Sequence, residues 1–396
     1  MLSLPVLALL AAPIIRVETP MPPPDWAYAE RALLKESADA AVEFAAKYTD
    51  SRGHFRAVER WGGNDGPDDV TETFHNWPLA FALGADGRIM QLWERIWEGH
   101  LDQYQKAKAP STRMAAKGMY WREFPTSFDW EHNGEGLAPF YHFGLSRPGD
   151  TLYRQRAVRF ARFYTGDDPE APNYDKQHKI IRSLHNGSRG PLLETASVFD
   201  WGGEKEEGMD RHSRYETAGN IRGDHPLNLC ATTLGMTAYL LTGESRYKDW
   251  VLEYTTAWRD RILANGGNVP TNIGLDGKIG GEWGGKWYGG TFGWNFWPQS
   301  NSRNYYMRGV RLAMGSAFLL TRDLSYLEPL RKQLDNLYAV KKEENGRVLL
   351  PNKYGDQGWY GYTPNQHADV QRDLYLWSMN NSYLPRLADD AWIQYL

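Results

Sequence analysis

Acidic, imidazole and amide side chains recur at matching offsets ahead of four turns of the chain. Ahead of Gly84 stand Asp68, Asp69, Glu72 and His75, at 16, 15, 12 and 9 residues, and ahead of Gly144 stand Asp129, Glu131, His132 and Glu135, at 15, 13, 12 and 9. Asp224, His225 and Asn228 precede Gly243 by 19, 18 and 15 residues, and Ser302, Arg303 and Asn304 precede Arg322 by 20, 19 and 18. Paired carboxylates do the work of glycoside hydrolysis: one protonates the leaving oxygen, and the other activates water or attacks the sugar. Glu131 and Glu135 are the preferred acids, because the neighbouring Trp130 can raise a carboxyl pKa toward working pH. Asp69 or Asp129 is the expected partner, and His132 completes the catalytic set. Helix capping accounts for Asp68 or Ser302 taken singly, but it does not call for His and Trp neighbours in each cluster.

Basic and amide groups interleaved with the acids speak to the substrate. His75, Asn133, Arg222, Asp224, His225, Arg303 and His367 fall in segments expected near a cleft mouth. A guanidinium fork matches a sugar carboxylate in two-point fashion, so a uronate is implied. The alternative is a solvated loop in which Arg211, Arg214 and Arg222 pair with Glu207, Glu216 and Asp224. Aromatic residues reach 14%, with 17 Trp and 23 Tyr, and many lie in Gly-rich segments at 280–297 and 355–362. Trp77, Trp130, Trp283, Trp287, Trp359, Tyr305, Tyr306 and Tyr360 are therefore candidate platforms for sugar faces. Packing of long loops onto the body is the plainer reading of any one ring.

Positioning such groups falls to helical hairpins. Four stretches, from Pro78, Phe140, Met236 and Gly315, each read as a helix, a short polar turn and a second helix with aromatics at helical spacing. One such unit cannot bury its own apolar face, so copies must pack side by side. They begin about 60 to 95 residues apart, too far for a tight solenoid. A ring of hairpins with long loops on one face fits better. First helices lining the inside would bring their N-termini, with orphan backbone donors, to one end.

The 396 residues carry a net charge of −4 with dispersed basic residues, which leaves no footprint for nucleic acid. No Ser/Pro-rich linker divides the chain, so residues 25–396 are expected to form one domain. Residues 1–24 hold an apolar run from Leu2 to Ile15. That run is too short to span a bilayer and suits the core of a secretory signal, although a basic start is missing. An N-terminal arm is the alternative. Export to the periplasm or beyond is the expectation, with no membrane span elsewhere. Cys230 lies in an apolar run and reads as a small buried hydrophobe.

No cofactor or metal is expected. A calcium-loop pattern begins at Asp129, Glu131, Asn133 and Gly134, but Phe140 stands where a bidentate Glu is needed. There is no HExxH motif, and GEWGGKWYGG lacks Walker spacing.

Turns of the type LLTGESRYKDW and LLTRDLSYLEP, acid-rich helix starts and Trp/Gly loops resemble those of the (α/α)6-barrel carbohydrate-active enzymes. In style the chain is most similar to six-hairpin glycosidases acting on uronic-acid-containing glycans, such as unsaturated glucuronyl hydrolases and exo-acting β-glucuronidases. The resemblance runs from about residue 28 to the C-terminus and implies an all-α (α/α)6 toroid. It is a resemblance of architecture, and no catalytic role is carried over with it. Its implied activity is hydrolysis of an anionic oligo- or polysaccharide. Elimination by a polysaccharide lyase is the alternative, with His132, His225, Tyr305 or Tyr306 as base beside Asn133 and Arg303. A glycan-binding protein without turnover is the third reading.

Overall fold

A hydroxyl residue, a left-handed residue and then an acidic or amide residue close three helices of the chain and lead into the next segment. Thr242, Thr321 and Ser378 each donate to the carbonyl four residues back, of Ala238, Ala317 and Leu374. The next residues, Gly243, Arg322 and Met379, take φ of 71°, 61° and 53°. Their N–H groups bond Tyr239, Phe318 and Tyr375, closing each helix through a left-handed cap. Glu244, Asp323 and Asn380 then return their N–H to the same hydroxyls. Asp323 and Asn380 also accept from Ser325 and Ser382, so each starts the following turn. Only Gly243 adopts this conformation without steric cost. Arg322→Gly is therefore expected to stabilise the protein by about 1 kcal/mol, read as a higher urea midpoint. No gain would mean that the Arg322 stem offsets the strain, its guanidinium lying 5.9 Å from the Phe318 ring.

The computed structural model describes residues 21–56, 68–105, 120–125, 130–181, 223–281, 284–288, 294, 305–364, 367–388 and 390–395. The side chains of Asp69, Glu131, His132, Tyr305 and Tyr306 lie outside that description. After α1 (Asp25–Tyr48), the first helices are the pair α2 (Asp68–Glu72) and α3 (Trp77–Ala82), then α5 (Trp130–Ser146). They continue with α7 (Thr232–Thr242), entered through a 3-10 turn at Pro226–Ala231, then α9 (Tyr305–Thr321) and α11 (Ala368–Ser378). The second helices are α4 (Arg88–Gln105), α6 (Thr151–Arg162), α8 (Ser245–Ala264), α10 (Glu328–Ala339) and the short α12 (Ala391–Tyr395).

Each first helix lies against the next. α2 and α3 pack on α5, α5 on the Pro226–Ala231 turn, and that turn with α7 on α9. Arg311 of α9 then pairs with Asp369 and Asp373 of α11. Successive contacts along one pair run in the same sense. Asp68 lies beside Gly136, the His75 carbonyl accepts from His142, and the Pro78 carbonyl accepts from Ser146. α2–α3 and α5 are therefore parallel, and their leading ends sit together. α9 and α11 are parallel too, since Arg311 meets Asp369 and Asp373 while Gly315 meets Trp377. The leading turns of the third and fourth hairpins touch where Gly309 abuts the Pro226 carbonyl. Aromatic and aliphatic side chains between the two rows of helices form the core, with Phe74, Phe140, Phe160, Trp258, Val310 and Leu334 fully or almost fully hidden.

The protein is mostly helical. It departs from an all-α chain at β5 (Lys342–Glu344), β6 (Arg347–Gly355) and β7 (Gly358–Pro364), an antiparallel three-stranded sheet. The Gly-rich 355–362 segment thus belongs to a β-hairpin rather than a loop. Alternation of Leu350, Asn352 and Tyr354 with Pro351 and Lys353 gives it two faces, and Gly358 at φ 94° turns the corner. Two short ladders, β1 (Tyr120–Trp121) with β2 (Phe124–Pro125) and β3 (Tyr174–Asp175) with β4 (Ile180–Ile181), lie in the connections. No helix among the described residues is long and apolar enough to cross a membrane.

Candidate functional site

Four first helices begin with buried polar groups. Asp68 opens α2, Asn133 lies in the first turn of α5, Asp224, His225 and Asn228 stand at the entry to α7, and His367 precedes α11; all are 4% exposed or less. Burying such groups is unfavourable unless they are paired, so they mark the end of the row where the chain has invested in polar contacts. Behind Asp68, the Tyr120 hydroxyl meets His100 Nε2 at 2.7 Å. Burial lowers the His100 pKa to about 3, so the ring is neutral. Burial, and then the charge of Asp68, push Tyr120 well above its ordinary value.

Asp224 is held by five donors. Its carboxylate accepts from the backbone N–H of Ile181 and His225, from Asn228 Nδ2, from the Tyr254 hydroxyl and from Trp258 Nε1, at 2.8–3.1 Å. Its backbone pairs in both directions with Ile273. The side chain is fully buried. Its lone pairs are committed to the protein, so Asp224 ties the third hairpin together rather than reaching for substrate. Burial raises its pKa to about 6 against those hydrogen bonds.

The histidines divide by burial. His225 is held well below its ordinary pKa, and His367 is lowered to about 4, in each case by burial. Both are neutral at pH 7, which removes them as cations for a sugar carboxylate. His75, in the turn between α2 and α3, is half-buried and lies 6.0 Å from His142 of α5, the two rings inclined by 28°. His75 Nδ1 donates to the Glu72 carbonyl and His142 Nδ1 donates to the His75 carbonyl, at 2.6 and 2.7 Å. A carbonyl can only accept, so both rings carry hydrogen on Nδ1 and leave Nε2 as the acceptor when neutral.

Of the tryptophans expected to meet sugar, Trp130 belongs to the core and the half-buried Trp77 packs against it. Trp130 is 3% exposed against Phe124 and Tyr164, and Trp77 sits edge-on to Phe44 and Phe74. The Gly-rich aromatic segments do come together. Trp287 and Tyr288 pack on Tyr354, Trp359 packs on Tyr354 and Trp294, and Lys286 and Tyr288 both bond Asp356 at 2.7 Å. Trp359 and Tyr360 are adjacent on β7 and face opposite ways. Trp359 turns inward, whereas Tyr360 is 41% exposed.

The start of α5 is braced from outside. Arg122 and Glu123 occupy the β1–β2 turn at φ 49° and 66°, a conformation costly for side chains of their size. Arg122 pairs with Asp168 at 3.0 Å and Glu123 with Arg156 at 2.8 Å, which holds the strained turn ahead of α5. Glu131, His132 and Glu135 follow within the first two turns of that helix, and Glu135 is half-buried. The side chains of Asp69, Glu131, His132, Tyr305 and Tyr306, and all of Asp129, Arg222, Trp283 and Arg303, lie outside the described residues. No group of three or more His, Cys, Asp or Glu among the described residues is placed to hold a metal ion. Burial pushes the Cys230 thiol up to about 12.

Sequence reasoning missed His142, His100, Tyr120, Tyr254 and Trp258. The spacing of Tyr254 and Trp258, four apart on α8, signals a shared face, but nothing local says that it meets Asp224.

The described residues thus form a mostly helical set of hairpins whose leading ends carry buried polar groups. The chain belongs to the family described as Domain of unknown function (DUF8034), whose model matches residues 14–216 and 204–348. Neither the curated proteins nor the solved structures hold a match to it.

Proposed function

We propose that this protein is a glycoside hydrolase cleaving a uronic-acid-containing glycan, with its hairpins closing into an (α/α)6-type toroid. One observation carries the reading: neighbouring first helices join at their leading ends, where buried polar groups recur. Because Asp68 backs on Gly136, the first turn of α2, with Asp69, adjoins the first two turns of α5, with Glu131 and Glu135. One carboxylic acid of this group protonates the glycosidic oxygen, while a second carboxylate activates water or attacks the anomeric carbon. Arg222 and Arg303 are the cations assigned to the uronate carboxylate.

A lyase is the second reading, favoured by His75 and His142. Their Nδ1 contacts leave Nε2 of each ring as the atom that would take the proton α to a uronate carboxylate. Screening of uronate polysaccharides by reducing-end release and ultraviolet absorbance separates the two. Hydrolysis gives new reducing ends without absorbance, and elimination gives both. Glu131→Gln is expected to lower turnover by roughly 10²–10⁴-fold while binding persists. Undiminished turnover in both Glu131→Gln and Asp69→Asn, or no cleavage of any uronate glycan, would overturn the hydrolase reading.

A further inference from the structure

The outward face of the β5–β7 sheet combines aromatic rings with cations, and strand register shows which residues share it. Lys353 pairs with Tyr360 and Pro351 with Tyr362, while Tyr354 pairs with Trp359 and Leu350 with Thr363. Side chains alternate along a strand, so these pairs occupy opposite faces. Leu350, Tyr354 and Trp359 face the body: Leu350 is 2% exposed, and the rings meet Trp287 and Trp294 at centroid distances of 4.5 and 4.7 Å. Tyr360 and Tyr362 lie on the other face, where Tyr360 is exposed, Tyr362 half-buried and Pro351 buried. Lys342 Nζ lies 4.1 Å from the Tyr362 centroid, and Lys353 Nζ lies 6.0 Å from that of Tyr360. Arg347, exposed and in register with Glu344, shares this face. Among the described residues of this face, Lys342 and Arg347 outnumber the one acid, Glu344, in a chain whose net charge is −4.

We propose that this outward face is a binding surface for an anionic glycan chain, separate from any catalytic carboxylate. Tyrosine rings two residues apart on one strand are about 7 Å from each other. They offer flat, rigid contacts to the C–H faces of successive sugars, and an ammonium beside each ring meets a uronate or sulfate group. Charge density selects the partner. Duplex nucleic acid carries a charge about every 1.7 Å and needs a far denser basic field, whereas a polyuronate carries no more than one charge per sugar. Because the proposal requires no cleavage, its failure would leave the hydrolase reading intact, and the converse also holds.

Native gels of the full chain containing polygalacturonate, hyaluronan or neutral dextran test it. Wild-type protein is expected to be retarded by one of the two polyuronates and not by dextran, and the retardation should weaken with salt. Tyr360→Ala with Tyr362→Ala, and separately Lys342→Glu with Lys353→Glu, should bind about tenfold more weakly. Val348→Ala, on the opposite face of the sheet, should bind like wild type. Melting curves confirm that each variant is folded, and the charge pair stands in if the tyrosine pair unfolds. No retardation of wild type by either polyuronate, equal retardation of wild type and both double variants, or retention on DNA but not on polyuronates would each overturn the proposal.

Discussion

Asp224→Asn is expected to remove about 3–5 kcal/mol of stability, measured by urea unfolding followed through tryptophan fluorescence. Two donors approach each carboxylate oxygen, from Ile181 and Trp258 on one side and from His225 and Asn228 on the other, with the Tyr254 hydroxyl near both. An asparagine amide satisfies one side only. Its NH2 group then faces two buried donors, and each orphaned donor costs about 1–3 kcal/mol. The pH dependence has a defined sign. Burial raises the native carboxyl to about 6, against about 3.9 when unfolded. Between these values the native state binds more protons, so this group's contribution is fully present below about pH 4 and is lost as pH rises through about 6. The deficit of Asp224→Asn, which has no proton to release, should therefore narrow from pH 4 to pH 7. A deficit that widens instead would show that the five donors outweigh desolvation.

Gly309→Ala should cost about 3 kcal/mol, at the upper end for overpacking. A Cβ at this position would lie 2.1 Å from the Pro226 carbonyl oxygen and 3.2 Å from Leu229 Cβ. Neither obstacle is the far end of a flexible chain, so α9 must move away from the turn that leads into α7. That contact joins the leading ends of the third and fourth hairpins, and any cleft formed there would open with it. Gly149→Ala is the control, because nothing lies within 4 Å of its added Cβ. It should change stability by less than about 0.5 kcal/mol. Equal urea midpoints for the two variants would show that α9 yields to the methyl group without loss.

Much of the helical framework was legible in the chain. Apolar residues at helical spacing around LLTGES and LLTRDL mark two hairpin turns, because a left-handed residue after a hydroxyl and before an acid has few other uses. The match of Arg322 to Gly243 also follows from position alone, although its strain becomes visible only in the backbone. The β5–β7 sheet was harder to see: Gly and aromatic residues at 355–362 suit a loop as well as a hairpin, and only register separates Trp359 from Tyr360. Periodicity likewise cannot distinguish a tryptophan that faces a cleft from one, such as Trp130, that faces Phe124.

Local elements follow from the order of residues: where helices stop, which residues cap them, and that polar clusters precede them. These depend on interactions within a few residues, whose energies hardly change with surroundings. Which polar groups are consumed internally depends instead on how the helices dock. Asp224 meets Tyr254 and Trp258 only when two helices dock, and His225 and His367 fall below their ordinary pKa only when the body closes over them. Burial and pairing are properties of three-dimensional neighbourhood, and they turn chemically identical side chains into anchors at one helix start and candidates for chemistry at another.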